Sequence, residues 1–168
     1  MHQLFLSFSA RKLQQLSERI ESCLDTLSAD AIWWRGAETQ NAVGNLVLHL
    51  CGNLGQWILS GVGGEPDTRQ RDAEFSARSG PDAGELKQRL RDRVQAASRV
   101  IEALPEARLA ERIRIQGYDV SVLEAVYHVV EHFSQHTGQI VYATKLLTQT
   151  DPDFYRHLAG ATHQERTP

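Results

Sequence analysis

The chain has 168 residues, a formal charge of −3, 41% hydrophobic residues and 23% charged ones, a composition that fits one globular domain and excludes a wholly disordered chain. With 18 Lys and Arg against 21 Asp and Glu there is no basic excess to neutralise phosphates, which argues against nucleic-acid binding. No apolar run reaches the ~18–20 residues that span a bilayer, the N-terminal charge order is the reverse of a secretory signal, and Cys23 and Cys51 are too few for a disulfide framework, so a cytoplasmic protein with reduced thiols and no membrane partner is expected.

Hydrophobic periodicity predicts four helices. Leu13, Leu16, Ile20, Leu24 and Leu27 recur at steps of three and four along a first helix from about His2 to Leu27. Ser28 to Gln40, with Trp33, Trp34 and Gly36, reads as a connection. A second helix, from about Ala42 to Leu59, carries the stripe Val43, Leu46, Leu50, Leu54 and Trp57. Gly61, Gly63, Gly64 and Pro66 break it, and a polar loop of about 22 residues follows. The third helix starts after Pro81, with Asp82 as its cap and Glu85 three residues on; Leu86, Leu90, Val94, Ala97, Ile101 and Leu104 form its stripe, and Pro105 marks its end. Glu111 to Val120 alternates apolar and polar residues around Gly117, the pattern of a short extended piece or small hairpin.

A fourth helix runs from about Ser121 to Thr148. Its seam, Leu123, Val126, Val130, Phe133, Thr137, Ile140, Thr144 and Leu147, is polar only at the two threonines. Four such seams are buried by packing around a shared core. The expected architecture is therefore all-α: a four-helix bundle over residues 1–150, a long loop between helices 2 and 3, a hairpin before helix 4, and a polar tail over 151–168.

The chemistry concentrates in histidines. His128, His132 and His136 follow at steps of four on the fourth helix, each about 40° round from the last at ~100° per residue. The helical wheel points His136 and His132 into or along the core and leaves His128 leaning to solvent. His49 flanks the apolar arc of the second helix, with Asn53 one turn on, and a bundle can bring it opposite the His132/His136 pair. Three imidazoles with a further position open suit a divalent metal, although HxxxH pairs also arise by chance on ordinary helices. The glutamate base of HExxH proteases is missing, since Phe133, Ser134 and Gln135 intervene.

Other residues carry two readings. Arg69, Arg71 and Arg78 either clamp an acidic substrate or sit in a solvated loop paired with Asp72 and Glu74, and the second is preferred. Asn53 and Gln56 are candidate pocket residues. Glu131 points about 100° away from His132 and is not a ligand, leaving only an outer supporting role. Cys51 reads as a buried structural thiol, and Trp33, Trp34 and Trp57 as core or pocket lining.

Asn41 to Trp57 (NAVGNLVLHLCGNLGQW) and Tyr127 to Leu147 (YHVVEHFSQHTGQIVYATKLL) together resemble the DinB/YfiT-like superfamily. The resemblance implies a four-helix bundle whose metal is held by one histidine of the second helix and by an HxxxH pair followed by Gly-Gln. It maps onto His49, His132 and His136, with Gly138 and Gln139 in the expected place. The loop TRQRDAEF (Thr68 to Phe75) and Trp33–Trp34 resemble one branch of that superfamily. The implied cofactor is Zn²⁺ or Ni²⁺. The implied activity is that of a metal-dependent enzyme, a thiol S-transferase acting on a small-molecule substrate with a low-molecular-weight thiol. Hydrolysis at the same site, or a non-catalytic binding or stress role, is the alternative, and a homodimer is expected only by analogy.

Overall fold

The computed structural model describes residues 1–156, so most of the expected tail over 151–168 lies outside the described residues. Six α-helices and one hairpin follow in the order α1 (His2–Thr26), α2 (Ala29–Trp33), α3 (Val43–Leu54), α4 (Arg71–Ser76), α5 (Ala83–Glu102), β1 (Arg112–Ile115), β2 (Tyr118–Ser121) and α6 (Val122–Thr148). The four long helices are the four that the periodicity predicts. Helices α1 and α3 each pack on both α5 and α6, which places α1 and α3 on one diagonal of a bundle. The core runs through the predicted stripes: Leu13, Ile20 and Leu24, Leu50 and Leu54, Leu86, Leu90 and Val94, and Val126, Phe133 and Ile140 are all buried. No helix among the described residues is long and apolar enough to cross a membrane.

Local chemistry sets the helix starts. The Asp82 carboxylate accepts the Glu85 N–H at 2.9 Å and caps α5. At α6 the cap is reciprocal: Ser121 Oγ accepts the Glu124 N–H at 3.2 Å, and Glu124 accepts the Ser121 N–H at 2.6 Å. The polar seam members satisfy themselves inside the core, because Thr137 and Thr144 each donate at 2.8 Å to the carbonyl one turn back, of Phe133 and Ile140. The hairpin pairs Ile113 with Val120 and Ile115 with Tyr118, and its two-residue turn uses positive φ at Gln116 (52°) and Gly117 (84°).

Several features depart from the sequence reading, among them helix α2 inside the stretch read as a connection. Leu123 is 42% exposed, because it sits in the first turn of α6, outside the packed seam. The second helix does not stop before Gly61; it widens into a π-helical segment over Gly55–Val62. Glycine costs about 1 kcal/mol in a helix, whereas burying Trp57, Ile58, Leu59 and Val62 gains roughly 1.5–3 kcal/mol for each large side chain. The long loop is also not structureless, since it carries α4 and lays it on α3.

Candidate metal centre

His49 lies in the middle of α3, and His132 and His136 lie one turn apart on α6. Because α3 and α6 are packed neighbours, the three rings converge. One ligand atom from each falls within 4.8 Å of the others. His49 Nε2 is 2.8 Å from His132 Nε2, and the His49 ring centroid is 5.0 Å from those of both His132 and His136. His49 is 5% exposed, and the two α6 histidines are half-buried.

The outer nitrogens of two of these rings have acceptors. Glu74 Oε2 lies 3.0 Å from His49 Nδ1, and Gln139 Oε1 lies 2.7 Å from His136 Nδ1. At His136 the accepting oxygen puts the proton on Nδ1 and turns the Nε2 lone pair to the cluster. At His49, Nδ1 faces both the accepting Glu74 carboxylate and, at 3.0 Å, the donating Arg69 Nη2; the Nδ1–H form is the one that pairs with Glu74 and leaves Nε2 open to a cation. The Gly-Gln that follows HxxxH thus has a physical role through Gln139. Inward-facing lone pairs at close range repel unless a cation or proton lies between them, and carboxylate–histidine pairing of this kind is the usual outer support of a metal-ligating imidazole. The donor set therefore fits a divalent metal. Nitrogen pairs around a tetrahedral zinc sit about 3.3 Å apart, within the span of these three atoms.

Glu74 is itself fixed. Arg69 grips it with two parallel bonds of 2.8 Å, Nε to Oε1 and Nη2 to Oε2, and donates a third to Gln56 Oε1 at 2.9 Å. The Arg69 side chain is only 3% exposed. Burial acts to raise the Glu74 pKa, but the bonds from Arg69 and His49 outweigh it together and hold the carboxyl below its ordinary value. Two further side chains carry α4 to this place. Fully buried Asn45 donates to the carbonyls of Glu74 (2.8 Å) and Ala77 (3.0 Å). Arg35 donates to Asn45 Oδ1 (2.6 Å), Phe75 O (3.0 Å) and Ala77 O (2.7 Å). Gly52 leaves room for the contact: a Cβ there would meet Glu74 Oε1 and come within 2.8 Å of its Cδ.

Burial and the neighbouring charges of His136, His49, His128 and Arg69 push the His132 pKa down to about 3. Burial lowers that of His136 against the opposing Gln139 bond. Both rings are therefore neutral at pH 7, the form that ligates. A cavity of about 500 Å³ opens on His49 and His132, walled by Asn53, Trp57, Tyr118 and His128.

The structure brings together His49, His132 and His136, gives Gln139 and Arg69 their partners, and adds Glu74 as a support and Asn45 behind it. It corrects three placements. His128 does not lean to solvent: it packs against the Trp57 ring at 4.1 Å and stacks on His132 at 5.4 Å. The loop pairing of Arg69 and Glu74 is buried rather than solvated, while Arg78 pairs with Glu38 at the surface. The carboxylate that supports the histidines is Glu74, and exposed Glu131 stays outside. Cys51 is half-buried with its thiol pushed up to about 12 by burial, and it faces a separate cavity behind Glu74 with Gln56. Trp57 lines the histidine cavity, whereas Trp33 packs over Gly44 and Gly80, and Trp34 is exposed. The signal for Glu74 was present in Thr68–Phe75, but the alternating charges there read as solvated.

A family model described as Protein of unknown function (DUF1572) matches residues 1–159. The chain belongs to the DUF1572 family. A conserved protein from Enterococcus faecalis has a similar structure, with a TM-score of 0.71 at 17% identity, covering 86% of this chain and 97% of that one. A DinB-like protein from Bacillus subtilis is also similar, with a TM-score of 0.66 at 16% identity over 88% of this chain and 96% of that one. Among curated proteins no match is found. The DUF1572 chain thus has a DinB-like helical fold, as the histidine-bearing segments led us to expect.

Proposed function

We propose that this DUF1572 protein is a metal-dependent enzyme in which His49, His132 and His136 hold one divalent cation, Zn²⁺ or Ni²⁺. The observation that carries the reading is the convergence of three imidazole ligand atoms within 4.8 Å, two of them on rings whose outer nitrogen is tied to Glu74 or Gln139. Bound there, the cation supplies a Lewis acid that acidifies a coordinated thiol or water. The surrounding residues favour the thiol, and with it S-transfer to a small electrophile. Hydrolysis calls for a base to manage the proton of water, and the one carboxylate at the cavity wall, Glu124, is committed to the α6 cap and to Arg112. Glu74 is engaged by Arg69 and His49. A thiol coordinated to the cation is deprotonated outright, whereas coordinated water reaches a pKa of only about 7 and stays partly protonated without a base.

Metal content of the purified full-length chain tests the site. Replacing His49, His132 or His136 by Ala is expected to remove most bound metal, while His128→Ala retains it. Equal metal in all four variants rejects the assignment. Turnover of a model electrophile with a panel of low-molecular-weight thiols then tests the chemistry, and metal-independent turnover counts against it.

A further inference from the structure

The cavity on the His49/His132 side contains polar groups that neither the fold nor the metal ligands use. Arg71 lines it from α4. Its guanidinium lies 4.9 Å from the Phe75 ring centre, and that ring in turn packs 4.6 Å from the His49 ring. The cation is thereby stationed beside the imidazole cluster, and among the described residues it has no carboxylate partner. Asn53, one turn beyond His49 on α3, is only 4% exposed and lines the same cavity. Its amide makes no hydrogen bond to another described residue and is left to the contents of the cavity. The Trp57 indole N–H is buried without an acceptor and is not among the donors that face the cavity. Two groups able to donate, Arg71 and Asn53, thus stand uncommitted on one cavity, while its carboxylate, Glu124, is occupied by Ser121 and Arg112. The remaining wall is aromatic: the Trp57 ring lies 4.1 Å from His128 and 6.4 Å from Tyr118.

We propose that this cavity binds a small carboxylate with a flat apolar body, the carboxylate facing Arg71 and Asn53 and the body lying on Trp57 and Tyr118. An anion satisfies the unpaired guanidinium and the unpaired amide together, which a neutral ligand of the same shape does not. Indole and phenol rings offer a stacking surface for a planar group. The proposal rests on reading this cavity as the substrate side of the metal centre, and it fixes the electrophile of that reaction as an acid.

The test is a titration of the full chain, after incubation with one equivalent of Zn²⁺, with benzoate and with its neutral isostere benzamide. The shift of the Trp57 indole N–H resonance, present in every variant, reports binding. Benzoate is expected to bind about tenfold tighter than benzamide, the effect of one partly solvated charge-assisted contact. Arg71→Gln removes that preference with zinc content unchanged, and Asn53→Asp removes it by placing a negative charge beside the ligand. Arg78→Gln, at the surface pair with Glu38, keeps it. Equal binding of the two probes overturns the proposal. A benzoate preference that survives Arg71→Gln but disappears on chelation also overturns it, because zinc alone then holds the anion and only the metal reading stands. If zinc fails to load yet the preference still depends on Arg71, the carboxylate subsite stands and the metal reading falls.

Discussion

At the scale of single residues, the centre divides into side chains that face the cluster and side chains that aim them. His132 and His136 were legible because a chelating pair on one helix recurs at a step of four, which sequence spacing records directly, whereas His49 was legible only from its place beside the apolar arc of the second helix and from the family resemblance. Glu74 was not legible. It reaches His49 across 25 positions of sequence, and its burial depends on Arg69, Arg35 and Asn45, which no local pattern links to it. The geometry makes Glu74 a positioning residue, and its effect is expected in metal affinity. Glu74→Gln keeps the shape but loses the charge that Arg69 grips and the strong acceptor at His49 Nδ1. Zinc affinity should fall about 10–100-fold, the usual effect of removing such an outer partner, and stability should fall by about 3 kcal/mol because Arg69 is left buried without its counter-charge. Gly52→Ala should also weaken zinc binding, since its Cβ occupies the place of the Glu74 carboxylate. Competition with a chromophoric chelator measures both variants; unchanged affinity in both would remove Glu74 from the centre.

At the scale of elements, four long helices were readable from sequence because each repeats its apolar stripe over many turns, as in Leu86, Leu90, Val94, Ala97 and Ile101. The short helices were not. Helix α4 has six residues, too few for a period to register and too few to be stable by itself. It persists because Asn45 and Arg35 bond the carbonyls of Glu74, Phe75 and Ala77. The π-helical segment was hidden for a related reason: its glycines signal a break, and tertiary burial of Trp57 and Ile58 overrides them. Asn45 is therefore the strap between α3 and the loop. Asn45→Ala leaves those buried carbonyls short of a donor and should cost about 3 kcal/mol. Hydrogen exchange at residues 71–77 should accelerate more than in α5. Uniform acceleration through the whole chain would mean that α4 is not separately held.

At the scale of the whole molecule, the bundle keeps several ionisable groups in forms that acid reverses. Burial holds the His132 pKa at about 3, below the ordinary value near 6.5 of an unfolded histidine. The unfolded chain therefore binds more protons than the folded one between those values. The stability associated with neutral His132 is fully present above about pH 6.5 and is lost progressively as pH falls toward 3. His128 and His136, also lowered by burial, act with the same sign. Glu74, held below its ordinary value, adds a loss at lower pH still. The metal-free protein should thus lose melting temperature from pH 7.5 to pH 5, and His132→Gln should give a shallower slope whatever its own starting stability. Zinc should deepen the contrast. It binds only deprotonated imidazoles and stabilises the folded state by mass action, by about 2.7 kcal/mol at a hundredfold excess over its dissociation constant. The zinc-induced rise in melting temperature should therefore be large at pH 7.5 and small at pH 5. Thermal scans of wild type and His132→Gln, with chelator and with zinc at both pH values, separate the two effects. Identical chelated slopes would show that His132 does not titrate as a buried neutral ring, and a zinc shift independent of pH would place the ion on carboxylates instead of on the three histidines.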